Sequence, residues 1–89
     1  MRYQAYRIEW DRKAAKVFED IKDQKLKDHI LDAIEHHIAR DPFAWKPLVG
    51  PLKGIYSHRI GVIRILYKPY KDRLIVVVLD IAHRREVYR

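Results

Sequence analysis

The chain has 89 residues, 48% of them apolar and 35% charged, with a formal net charge of +7. A chain of this length has room for one hydrophobic core, and its composition is too apolar for a disordered segment. It has no cysteine, which excludes a disulfide scaffold, a thiolate metal site and a cysteine nucleophile.

Tyr6, Ile8 and Trp10 alternate with Arg7 and Glu9, the period of a half-buried strand. Asp11 then suits a helix N-cap, and Ala14, Val17, Phe18 and Ile21 follow at helical spacing, ending near Lys22 and Asp23. Leu26, Ile30, Ile34 and Ile38 recur every four residues with Ala33 and His37 beside them, which predicts a second amphipathic helix. Asp41 and Pro42 stop it, because the residue before proline avoids the helical region. Residues 42–54 hold Pro42, Pro47, Pro51, Gly50 and Gly54 and read as an irregular connection anchored by Phe43, Trp45, Leu48 and Leu52. Strands are predicted over residues 55–60 and 62–67, broken at Gly61. Residues 68–73 read as a turn-rich link, and the apolar run from Leu74 leads into a central strand over residues 74–81. The predicted architecture is α+β in the order β-α-α-β-β-β, a small antiparallel-rich sheet with both helices on one face. The stripe Leu26, Ile30, Ile34, Ile38 is expected to pack on that sheet, with Val77 and Leu79 among the least exposed strand residues.

No stretch reaches the roughly 18 apolar residues of a membrane span, and the N-terminus lacks a signal-peptide apolar core. A soluble, cytoplasmic protein without membrane contact is expected. Asn and Thr are absent, which gives the composition a thermophile-like cast.

Charge is distributed unevenly. Residues 1–45 hold nine Lys/Arg and nine Asp/Glu, whereas residues 46–89 hold ten Lys/Arg against Asp72, Asp80 and Glu86. A basic face turned toward a polyanion follows. Its candidates are Lys53, His58, Arg59, Arg64, His83, Arg84, Arg85 and Arg89. Arg64 stands out, since it interrupts the apolar strand of residues 62–67, where a charge needs a partner, a strand edge or a concave site facing a ligand. Arg84 and Tyr88 are four apart, a spacing that puts both on one side of an extended or helical tail. His29, Asp32 and His36 share one helix face, but that face borders the charged side of the helix; it is read as solvated, with no metal site. No cofactor motif occurs.

The segment of residues 47–59 (PLVGPLKGIYSHR), the strand of residues 62–67 (VIRILY) and the tail of residues 83–88 (HRREVY) resemble, in this order, the RelE/ParE toxin superfamily. The resemblance covers essentially the whole chain and implies one RelE-like toxin domain over residues 1–89. It implies a toxin of a type II toxin–antitoxin system. RelE-type members cut mRNA in the ribosomal A site without a metal, and ParE-type members poison DNA gyrase. The RelE-type pattern of basic residues falls here on Arg59, Arg64, Arg84 and Tyr88, with His83 just before the last two. Where the best-known pattern has two lysines one residue apart, this chain has Ser57 and Arg59. An arginine is a poor general base, its pKa exceeding about 12, so the base is left open. The expected partners are a cognate acidic antitoxin, the ribosome and mRNA.

For cleavage by 2′-OH attack, Arg64 and Arg84 suit a bidentate grip on the phosphate and Arg59 an electrostatic lowering of the 2′-OH pKa. His83 or His58 suits proton transfer near neutral pH, and Tyr88 suits stacking on a nucleotide. Lys53, His58, Arg85 and Arg89 are expected to bind RNA around this centre. The alternatives are a gyrase poison without nuclease activity and a non-enzymatic RNA-binding module.

Overall fold

The computed structural model of the chain describes residues 5–83, and for His83 only its place in the backbone. β1 (Arg7–Trp10) leads into α1 (Arg12–Glu19), whose N-cap is Asp11; its side chain accepts from the Lys13 backbone N–H at 3.1 Å. α2 (Gln24–Ala33) is capped by Asp23 in the same way, through the Leu26 N–H at 3.2 Å. α2 runs on into a π-helical turn, Ile34–Ile38, closed by the Ala39 N–H on the Ile34 carbonyl at 2.8 Å. Residues spaced by four drift about 40° per step around an α-helix. The wider turn winds that drift back, so Ile38 faces the sheet beneath Ile30 and Ile34, and all three are buried.

The sheet has five strands in the order β1-β5-β4-β3-β2. β2 (Lys46–Pro47) precedes a 3-10 turn at Gly50–Leu52. β3 (Tyr56–Ile60), β4 (Ile63–Tyr70) and β5 (Ile75–His83) form the antiparallel meander read from the sequence. Gly61, at φ 57°, opens the two-residue turn between β3 and β4, a conformation glycine adopts without steric cost.

Several expectations are corrected. β1 pairs with β5 in parallel, Ile8 opposite Val76, so the sheet is mixed. The segment of residues 42–54, expected to be irregular, contributes the short edge strand β2, paired with β3. α1 ends at Glu19, short of the expected boundary. β4 runs through Lys68, Pro69 and Tyr70, placed above in a link. Proline is tolerated there because the pairing of β4 with β3 ends at Tyr67, which leaves one flank open.

Val76 and Val78, not Val77 and Leu79, are the fully buried residues of β5. Leu66 pairs with Asp80 and Tyr67 with Val78, so Leu79 is an extra residue in the ladder. That bulge shifts the inward face to Ile81, which is buried. The core forms on one side of the sheet, where Ala14, Ile30, Ile34 and Ile38 of the helical layer meet Ile63, Ile65, Tyr67, Val76 and Val78. Each fully buried aliphatic side chain contributes on the order of 1.5–3 kcal/mol. Leu26 packs at the margin of this cluster and completes the stripe. Among the described residues, no helix is long and apolar enough to cross a membrane.

Candidate nucleic-acid interface

With both helices on one side, strand alternation sends every second side chain to the open face. Along β4 the residues facing the helices are Ile63, Ile65 and Tyr67, all buried. The open-face series between and beyond them is Arg64, Leu66, Lys68 and Tyr70, each half-buried. Arg64 thus lies within an apolar strand, yet on the side away from the core.

Arg59 of β3 is directly opposite Arg64, and Ser57 is opposite both Leu66 and Lys46. Directly opposed like charges cost stability in a sheet. Lys46, Arg59, Arg64 and Lys68 therefore occupy neighbouring strands on one face. Two carboxylates of this sheet lie toward its β1 side and are held by other cations: Glu9 by Arg7 at 3.2 Å, and Asp80 by Lys13 at 3.2 Å. At the far end of β4, Lys68 Nζ lies 5.3 Å from the Tyr70 ring centre, and the Arg73 guanidinium carbon 5.8 Å from it.

The expected tail residues Arg84, Arg85, Tyr88 and Arg89 lie outside the described residues, as does the side chain of His83. In the backbone, His83 pairs with Ile63 and Ala82 with Arg64. β5 therefore ends beside the Arg59/Arg64 pair. Lys53 is exposed on the loop before β3, where it lines an apolar cleft of about 510 Å³ with Leu48, Val49 and Tyr56.

His58 is not on the interface. It is only 7% exposed, because it faces the helical layer rather than the side shared by Ser57 and Arg59. Trp45 packs edge-on against its ring with centres 4.3 Å apart, and His37 Nδ1 approaches its Nε2 at 3.4 Å. Its Nδ1 is buried with no hydrogen-bond partner among the described residues. Burial, and after it the His37 imidazole, lower the His58 pKa, so the ring is held neutral. His36 makes a 2.8 Å contact with Asp32 on an exposed helix face, the solvated arrangement read from the sequence.

Sequence reasoning missed Lys68, Tyr70 and Arg73 as members of this face. The signal is present in the spacing of Arg64, Leu66, Lys68 and Tyr70, but residues 68–73 read as a turn-rich link. It also missed Trp45 and His37 as the enclosure of His58, a contact between residues distant in sequence.

A family model described as the ParE toxin of the type II toxin–antitoxin system parDE matches residues 8–88. Toxin RelG of Mycobacterium tuberculosis is 36% identical over 70 residues, covering 73% of this chain and 80% of that protein. Among solved structures, a chain of the RelBE2 toxin–antitoxin complex of M. tuberculosis superimposes with a TM-score of 0.83 at 24% identity, over 93% of this chain and 95% of that one. The isolated RelE toxin of E. coli gives 0.63 at 22% identity, over 94% and 92%. The mixed sheet with two helices on one side is therefore the fold seen in toxins of toxin–antitoxin pairs. The chain belongs to the RelE/ParE toxin superfamily of type II systems.

Proposed function

We propose that this toxin is a RelE-type endoribonuclease that cuts mRNA on the ribosome by metal-independent attack of a 2′-OH, thereby stopping translation. The observation that carries the reading is the Arg59/Arg64 pair, two guanidiniums opposed across adjacent strands at the end of the sheet where β5 finishes. Cleavage builds a dianionic phosphorane, and converging fixed donors stabilise it more than they stabilise the ground state. In this reading Arg64 and Arg84 hold the scissile phosphate in bidentate fashion, and Arg59 favours ionisation of the 2′-OH. Since His58 is enclosed on the opposite side, His83 is the imidazole assigned to proton transfer. Tyr88 stacks on the neighbouring nucleotide, while Arg85, Arg89 and Lys53 supply general attraction to the backbone. The ribosome orients the message, which suits so small an enzyme.

A cognate antitoxin, acidic to match the basic half of the chain, holds the toxin inactive in the cytoplasm. This is supported by the complexes in which similar folds occur: RelBE2 of M. tuberculosis and RelE–RelB of Pyrococcus horikoshii.

The matching family model is described by the ParE toxin, which favours a second reading as a gyrase poison without nuclease activity. In vitro translation with primer-extension mapping separates the two. Codon-periodic cuts that require translating ribosomes and disappear in Arg84→Ala support the endoribonuclease. Gyrase-linked DNA breaks with intact mRNA support the alternative, and neither outcome leaves a binding module.

A further inference from the structure

The open face does not end at the Arg59/Arg64 pair. Six residues along β4, roughly 20 Å away at the rise of a strand, Tyr70 carries two cations against its ring. Lys68 comes from the same strand and Arg73 from the turn that follows, at 5.3 and 5.8 Å from the ring centre. Lys68 and Tyr70 are two apart, so both are on the side that bears Arg64. The register continues the surface: Lys68 is opposite Val77, which is opposite Glu9, and Tyr70 is opposite Ile75, which is opposite Arg7. The floor beside the cluster is thus apolar and half-buried, and the nearest carboxylate in that row, Glu9, is ion-paired with Arg7.

We infer that Lys68, Tyr70 and Arg73 form a second contact for single-stranded RNA, several nucleotides from the proposed cleavage point. One unpaired base stacks on Tyr70, and the phosphates on either side of it meet Lys68 and Arg73. A ring flanked by cations on an apolar floor fits a single strand better than a duplex, since only an unpaired base offers its π face while its backbone meets the cations. The separation from Arg64 is too long for one nucleotide and suits an extended strand running down β4. This inference deepens the proposed function by giving the message a path across the face, and it rests on RNA being the ligand of that face.

The test is binding rather than cleavage, so the two readings fail separately. Anisotropy of a labelled, unstructured 12-nucleotide RNA is measured with the full chain at several salt concentrations. Tyr70→Ala is expected to weaken binding by about 5- to 150-fold, the range for loss of one base–aromatic stack, while Tyr70→Phe retains it. Lys68→Gln with Arg73→Gln, a surface pair that spares the half-buried ring, is expected to lower the salt slope by about 1.4, or two phosphates on a single strand. Wild-type affinity and salt slope in that double variant overturn the inference, whether or not the protein cuts mRNA on ribosomes. So does an absence of measurable binding by the wild type. Binding that falls as described in a protein that never cuts mRNA upholds this contact and removes the nuclease assignment.

Discussion

Arg59 and Arg64 are direct cross-strand partners on the face of the sheet turned away from the helices. Two like charges in that relation repel, and an anion between them relieves the repulsion. Arg59→Glu turns the repulsion into attraction. Thermal denaturation of that variant is expected to show a gain of roughly 0.2–1 kcal/mol, while mRNA cleavage in the translation assay drops by at least about 10²-fold. A variant that is both less stable and fully active contradicts the arrangement.

The bulge at Leu79 sets which side of β5 is inward. Val78→Ala empties space at a fully buried site and is expected to cost about 2 kcal/mol or more. Leu79→Ala removes a larger side chain from a half-buried position, yet its cost is expected to be about 1 kcal/mol or less. Urea midpoints of the two variants decide the order, and the reverse order means that the register has been misassigned.

Acid weakens the fold through His58. Its pKa lies below the usual 6.5, chiefly through burial and next through His37. The unfolded chain therefore takes up a proton there that the folded chain resists, so stability declines as pH falls below about 6.5 and levels once the folded ring also protonates. His58→Gln removes the titrating group. The gap between urea midpoints at about pH 7.5 and 5.5 is expected to shrink in that variant; an unchanged gap assigns the acid sensitivity to other groups.

Tyr67 is fully buried, and its hydroxyl donates to the Pro42 carbonyl at 2.7 Å. Tyr67→Phe strands that acceptor and is expected to cost about 1–3 kcal/mol in equilibrium unfolding. Burial, followed by Tyr56 and Asp41, raises the phenol above its usual 10.0. Its contribution is thus complete below about pH 10 and is lost as pH rises beyond it. The Phe variant is expected to lack that alkaline decline.

Features encoded in local patterns were legible in the sequence. The stripe of Leu26, Ile30, Ile34 and Ile38, the Asp11 cap and the break at Gly61 each follow from neighbours a few residues apart. The inward side of β5 was not legible, because residues 74–79 are uniformly apolar and carry no alternation to read. The parallel pairing of β1 with β5 was hidden too, since it joins segments almost seventy residues apart that share no local signature. At the interface, Arg64 announced itself as a charge within an apolar strand. The burial of His58 did not, because whether β3 turns it toward the helices or toward Arg59 depends on Trp45 and His37 closing over it.

The parallel contact also governs when the molecule can act. Among the described residues β5 is the last strand in chain order, yet it lies in the interior of the sheet, with β1 on one side and β4 on the other. While a ribosome is still making residues 75–83, β1 has no neighbour and the floor beneath the arginine pair is missing its middle. Folding must wait for that strand, as it must wherever the pairing is non-local. An unfinished chain consequently lacks the strand that joins β1 to the rest of the sheet, and the face bearing the arginine pair is complete only when that central strand has been released and inserted.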